Sequence, residues 1–369
     1  MNITKHQNKI EQLLSEHCPD DVEFKMMDEV VTIKHGKDYK SLGKGNVPVY
    51  GSGGIMTYVD TYSYNKPSVL IPRKGTITNL FIVETPFWNV DTIFYTVIKT
   101  ELIIPKFLYY YLKTINLAAL DTGSGRPSLT IQILNNLRIP VPPVAIQNEI
   151  LKILNKFTEL EAELEAELEA RKQQYEHFRS TLLTYGVGIQ KKSIAEICQV
   201  SRGRVMSKDY LRENAGDYPV YSSQTVDDGV FGRINTYDYE GEYLTWTTDG
   251  ANAGSIFYRN GKFSITNVCG LLKVKNEDVN IKYLSYILAT VSKMHVSAGM
   301  GNPKIMSNVM EKIQVSIPSK AEQERIVSIL DKFDALVNDI SIGLPAELNA
   351  RRQQYEYYRN KLLTFKELV

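Results

Sequence analysis

No phosphate loop of the form GxxxxGK[ST] occurs in the 369 residues, which removes a nucleotide-driven motor from consideration. The run Gly51, Ser52, Gly53, Gly54 is a glycine turn without the lysine. The [DN]PP[YF] tetrapeptide of an amino-methyltransferase is also missing, since NPK at 302–304 lacks the second proline and the aromatic. Cysteine is scarce: Cys18, Cys198 and Cys269 form no CxxC pair, so neither a disulfide framework nor a zinc site is suggested. The five histidines (His6, His17, His35, His177, His295) show no ligand spacing. Asp20 and Glu23–Lys25 imitate a PD…ExK nuclease site. Only two residues separate those carboxylates, whereas such a site draws them from different strands, so this is a chance match. No apolar run approaches the ~18–20 residues of a membrane span, and the opening MNITKHQNKIEQLL is no signal peptide. A cytoplasmic protein without metal or cofactor of its own is expected.

What is present is a repeat. ARKQQYEHFRSTLLTY at 170–185 returns as ARRQQYEYYRNKLLTF at 350–365, a shift of 180. At a shift of 176, QNEILKILNKF (147–157) returns as QERIVSILDKF (323–333), and PKFLYYYLKT (105–114) as IKYLSYILAT (281–290). The same shift relates GSGRPSLTIQILNNLRIPVP (123–142) to GMGNPKIMSNVMEKIQVSIP (299–318). Further back only islands survive, such as PVYGS (48–52) against PVYSS (219–223). The chain is a tandem duplication of a globular part followed by a helix.

The best-matched parts carry a helical stripe. From Ile146, apolar residues fall at Ile150, Leu154, Phe157, Leu160, Leu164, Leu168, Tyr175, Phe178 and Leu182, spaced mostly by three and four. The second copy repeats this from Ile326 to Leu362, with four extra residues around Gly343, Leu344 and Pro345, where proline would interrupt or kink a helix interior. A helix over 145–183 is ~58 Å long, too long to bury its stripe on one small domain, so the two helices are expected to bury their stripes on each other. Chain order makes them antiparallel. The predicted architecture is α+β: two pseudo-twofold-related mixed α/β domains joined by a long antiparallel two-helix coiled coil. The first domain is placed at 1–144, the first helix at 145–185, the second domain at 186–320 and the second helix at 321–369. Within the domains, SVLIP, LFIVE, TIFYTVI, YPVYSS, EYLTWTT and GLLKVK read as strands, and 105–117 and 281–294 as amphipathic helices.

The net charge of +1 conceals a division. Lys and Arg exceed Asp and Glu by 15 to 13 over 1–144 and by 16 to 13 over 186–320, while acids exceed bases by 8 to 5 over 145–185. Mildly basic domains on an acidic rod would keep a phosphate backbone on the domains. In the first domain Lys34, Lys37, Lys40 and Lys44 are interleaved with glycine, followed by Arg73 and Lys74 beside Gly75. The second has Arg202, Arg204 and Lys208 around Gly203, then Arg233 and Arg259. Basic residues on glycine-rich loops suit phosphates and guanine edges, although solvated loops look the same. The paired GxGxP loops add Ser124 and Arg126 in one copy and Asn302 and Lys304 in the other. Each precedes a short helix that Ser128 could cap in the first copy, leaving N–H groups for phosphate; a turn fitting helix to sheet is the alternative.

The duplicated plan, with the motifs PVP-x(4)-Q-x(5)-IL-x-KF and A-R-[KR]-Q-Q-Y-E-x(2)-R-x(2)-LLT[YF], closely resembles the specificity subunits of type I restriction–modification systems. The TELEAELEAELEA run at 158–170 looks like the short repeat in the central helix of such subunits. The resemblance covers the whole length in organisation, but its specific motifs lie in the helices. It implies two target-recognition domains, each reading half of a split, asymmetric site in double-stranded DNA, and helices that space them and dock two modification subunits. Those partners would hold S-adenosylmethionine and methylate adenine, flipped from its stack; ATP-dependent restriction subunits, where present, would cut. The chain itself would do no chemistry. A nuclease with its own recognition domains and a coiled-coil adaptor are the alternatives. Recognition domains vary within such a family, so the DNA-site residues above rest on loop chemistry alone.

Overall fold

The computed structural model describes residues 3–120, 127–184, 189–297 and 301–368. The chain divides into two compact units, Met1–Glu165 with Glu347–Val369, and Ala166–Ala346. Each unit therefore holds one globular part together with pieces of both helical segments. The first helix, Val144–Leu183, is continuous over 40 residues and contributes to both units.

In the first unit the stretches read as strands form a four-stranded antiparallel sheet in the order Val31–Lys34, Ile93–Ile98, Ser68–Pro72, Phe81–Val83. Ser68–Pro72 is buried along its whole length, as its unbroken apolar run requires of a central strand. A second sheet holds Gly54–Val59, Val47–Gly51 and the short Trp88–Asn89, the last two parallel. In the second unit the same order is one six-stranded sheet. There the ten-residue strand Ile256–Ile265 takes the places of both Phe81–Val83 and Trp88–Asn89. Pro86 lies in the break between those two short strands; it has no N–H to give to a ladder and so divides what its counterpart keeps whole.

The repeated glutamine of the PVP-x(4)-Q motif explains how each sheet is tied to its helix. Gln147 is fully buried: its amide donates through Nε2 to the carbonyls of Leu102 (2.9 Å) and Pro142 (2.8 Å), and its Oε1 accepts from the Ile104 N–H (2.8 Å). Gln323 does the same with Asp278 (2.9 Å), Pro318 (2.9 Å) and the Asn280 N–H (2.8 Å). An amide is the one side chain that satisfies two carbonyls and an N–H at once. It fixes the start of each long helix to the loop before the amphipathic helices Pro105–Leu112 and Ile281–Val291. Both of these end short of the predicted limits, passing into 3-10 turns at Leu117–Leu120 and Ser292–His295.

The apolar stripe of the first helix enters both cores. Ile146, Ile150, Ile153, Leu154 and Phe157 join Phe107, Leu108 and Leu362 in the first unit; Tyr175 and Leu183 join Trp246, Tyr283 and Leu330 in the second. In the first unit Phe157 stacks on Tyr358 at 5.5 Å, and Glu161 and Glu165 hold Arg352. Rising numbers on one helix meet falling numbers on the other, so the pairing is antiparallel. The glutamate run is thus more than a solvated face, since two of its members bridge helices. The second helical segment is broken into Lys320–Asn338 and Leu344–Leu363, with a turn in which Asp339 accepts from the Ser341 N–H (2.7 Å). Pro345 does not kink a helix interior, as a continuous helix would have required. It lies in the first turn of a new helix, where a missing N–H costs nothing.

Candidate nucleic-acid interface

One backbone clamp is built twice. In the first unit the Gly75 N–H donates to the Pro127 carbonyl (3.3 Å) and the Leu129 N–H to that of Arg73 (2.9 Å), with Lys74 bridged to Ser128. In the second the Gly250 N–H donates to the Pro303 carbonyl (3.0 Å) and the Ile305 N–H to that of Thr248 (2.8 Å), with Asp249 bridged to Lys304. Gly75 and Gly250 both take positive φ (81° and 91°), which L side chains avoid. Pro127 and Pro303, which end the two GxGxP stretches, are therefore seated on the ends of the central strands. Ser124 and Arg126 lie outside the described residues; Asn302 and Lys304 are exposed.

The expected cap fails. The helix after the first loop is only Ile131–Asn135, and Thr130 caps it by accepting from the Ile133 N–H (3.3 Å), while Ser128 is used in the clamp. Its counterpart, Ser307–Met310, is four residues long with no side-chain cap. Neither is long enough for a helix dipole to gather an anion.

A second pairing brings more of the cations to this edge. Gly36 and Gly203 each press on backbone carbonyls, of Asn89 and Val90 in one case and of Ile265 and Thr266 in the other, leaving no room for a Cβ. Lys37 and Arg204 follow directly. Lys37 donates its N–H to Asn89 (2.9 Å), and the Arg73 N–H reaches Thr92 (2.9 Å), so both basic residues stand along 89–92. An open groove of about 780 Å³ beside them is lined by Lys40, Ser52, Gly53, Met56 and Asp91 among others. Lys34 ends the strand leading there and is exposed, as are Lys37, Lys40 and Lys74. Arg73 is half-buried, its guanidinium over Phe94 at 5.6 Å. Lys44 is not part of the group: it lies at the far end of the Val47–Gly51/Gly54–Val59 hairpin, next to Gly43, whose carbonyl takes the Asp60 N–H.

In the second unit Arg202 donates to the Thr248 hydroxyl (3.0 Å) and to the Asn267 carbonyl, flanking the Lys304 clamp. Arg204 is exposed but pairs with Asp238 (3.1 Å) and lies over Tyr210 at 5.1 Å; the hydrogen bonds it donates to the Tyr210 hydroxyl and the Asp238 carboxylate hold its charge more firmly than usual. Lys208 opens the helix Lys208–Glu213 and is exposed. Arg233 donates to the Asp217 carbonyl (2.9 Å) on the hairpin stem. Arg259 corrects the sequence reading. Its side chain is 2% exposed, sandwiched between Tyr221 (3.6 Å) and Phe257 (4.6 Å) and bonded to Asp228, so it offers nothing to a phosphate.

Sequence reasoning missed the hairpin turns at this edge, although the PVYGS and PVYSS islands mark where they begin. Asn79 Nδ2 reaches the Ser52 carbonyl (3.5 Å) in the first unit, and Asn252 Nδ2 the Thr225 hydroxyl (3.1 Å) in the second. Each hairpin turn thus touches the loop that follows the clamped strand. Among the described residues no group of His, Cys, Asp or Glu is placed to hold a metal, and no helix is long and apolar enough to cross a membrane.

A fold made twice, with one clamp offering charged side chains at the same edge of each copy, is that of a duplicated binding protein. The family model described as the type I restriction modification DNA specificity domain matches twice, over residues 19–170 and 186–350. The chain belongs to that family. A putative type I specificity subunit of Mycoplasma pneumoniae is 41% identical, over 65% of this chain and 91% of the relative. A putative type I restriction enzyme specificity subunit of Haemophilus influenzae is 32% identical over 94% of this chain and 96% of its own. The S subunit of a type I restriction–modification system from M. genitalium shares the fold, with a TM-score of 0.63 at 16% identity over 93% of this chain and 96% of that one. The chain is a non-catalytic specificity subunit, which recognises DNA sequence within a type I restriction–modification system and assembles with its other subunits.

Proposed function

We propose that each unit reads one half of a split, asymmetric site in double-stranded DNA through its clamped loop edge, and that the helical segments set the gap between the halves. The observation that carries this reading is the repeated clamp, which offers Lys74 beside Ser128 in one copy and Lys304 beside Asp249 in the other. Equivalent backbone with unlike side chains is what two domains need to bind DNA in the same way and read different bases. Lys34, Lys37, Lys40, Arg73 and Lys74 in the first unit, and Arg202, Arg204 and Lys304 in the second, supply the phosphate and base contacts. Ser124, Arg126 and Asn302, from the same GxGxP stretches of sequence, and the exposed Lys208 and Arg233 add to them. Two modification subunits dock on the helices, hold S-adenosylmethionine and methylate adenine in the cytoplasm; restriction subunits join where the system has them. Replacing residues 186–318 with the corresponding part of another specificity subunit tests the reading by methylome sequencing. One half-site should change and the other remain. A change in both would refute independent reading.

A further inference from the structure

The two hairpins at the recognition edge differ in a way that the fold does not require. In the first unit PVYGSGG closes in two residues, Ser52 and Gly53, between the paired Gly51 and Gly54. In the second, PVYSSQTVDDGV brings the Ser222 N–H to the Gly229 carbonyl (3.1 Å) and leaves six residues, 223–228, in the loop. Asp227, Asp228 and Gly229 take positive φ in succession (51°, 50°, 79°), an arrangement that L residues seldom hold consecutively. A buried cation holds it. Arg259 donates through Nη1 to the Asp228 carboxylate (2.5 Å), through Nη2 to the Asp228 carbonyl (2.8 Å) and through Nε to the Thr245 hydroxyl (3.3 Å). From the other side Asn252, two residues past Gly250 of the clamp, holds Thr225. The loop base is thus fixed while its tip is left out, with Val226 78% exposed and Asp227 exposed.

We infer that residues 223–228 are a preorganised base-reading loop of the second recognition domain, with Val226 and Asp227 as its contacts and Arg259 as its positioning residue. This rests on the reading above, that the clamped edge faces DNA. A short hairpin suffices to close the sheet, as the first unit shows, so a strained six-residue loop held by a buried arginine serves something outside the fold. The charge says what. An exposed carboxylate is repelled by phosphates, but in the major groove it accepts from the exocyclic amine of cytosine, and valine methyls suit the thymine methyl. Asp228 is exposed as well, but its carboxylate is paired with Arg259, so Asp227 is the unpinned acceptor at the tip.

The test uses the subunit assembled with its modification subunits and a set of duplexes permuted through both half-sites. The double variant V226A/D227N leaves the Arg259–Asp228 pin intact. It should lower discrimination at one or two positions of one half-site by about tenfold, with an unchanged melting temperature. Arg259→Met, which fills the slot between Tyr221 and Phe257, should relax the same positions and leave the salt slope of binding unmoved. A slope smaller by about one would make Arg259 a phosphate contact and overturn its role. Unaltered discrimination in V226A/D227N, alongside weakened binding by Lys304→Ala, would refute the loop and leave the broader reading standing. Binding unmoved by Lys304→Ala and by Lys74→Ala would remove that reading, and the loop with it.

Discussion

Deleting residues 166–169 takes one four-residue unit out of the helix Val144–Leu183 where the two compact units meet in the chain. Four residues shorten a helix by ~6 Å, nearly two base pairs at ~3.4 Å each. They overshoot a helical turn of ~3.6 residues only slightly, so Leu164 moves close to the phase of Leu168 and the apolar stripe continues. The contacts that seat the helix are spared: Phe157 on Tyr358 at 5.5 Å and Glu161 with Arg352 at 2.6 Å in the first unit, and Phe178 on Phe333 at 5.2 Å in the second. Even the exposed Glu167–Arg171 pair (2.7 Å) is replaced in kind, because Glu163 then stands four residues before Arg171, so its contribution of roughly 0.3–0.5 kcal/mol is kept. The returning segment has slack, since between Phe333 and Ala350 it carries four residues more than the first helix does between Phe157 and Ala170. Its turn leaves the side chains of Ile340 (84%) and Ile342 (78%) exposed, so these two do not anchor it. The expected outcome, read by methylome sequencing of cells carrying the deletion, is two intact half-sites with a gap shorter by one or two base pairs. An unchanged gap, or altered bases in a half-site, would mean that the helix is not the spacer.

Lys74→Ala and Lys304→Ala should each weaken DNA binding across all sequences and lower the salt slope by roughly one, and Arg126→Ala is expected to do the same; an unmoved slope in a normally folded variant would return these loops to the role of turns. Gln147→Leu should leave the Ile104 N–H and the carbonyls of Leu102 and Pro142 without their buried partner. The cost is roughly 1–3 kcal/mol, seen as a fall in melting temperature of several degrees at ~2–4 °C per kcal/mol; an unshifted melting curve would contradict the tie drawn between sheet and helix. The purified subunit alone should neither bind S-adenosylmethionine nor methylate or cut DNA, and saturable cofactor binding in calorimetry would reassign the roles.

The sequence by itself determined what depends on local periodicity. The three-and-four spacing from Ile146 to Leu182 marks the long helix, and runs such as SVLIP mark buried strands. The 176-residue shift pairs Gln147 with Gln323 before either is seen to make three hydrogen bonds. Gly343 and Pro345 signal the break in the second helical segment, because one favours a tight turn and the other suits the start of a helix. The tertiary structure alone decided which charges are available. Arg204 and Arg259 both lie among glycines and aromatics in the chain, yet one is exposed beside Asp238 and the other is buried against Asp228. Burial and pairing are set by residues dozens of positions away, and no local pattern records them. The same holds for Thr130, which took the capping role expected of Ser128 because Ser128 was drawn to Lys74 across the sheet end. It holds too for the six-residue loop at 223–228, whose shape comes from an arginine on a strand some thirty residues later.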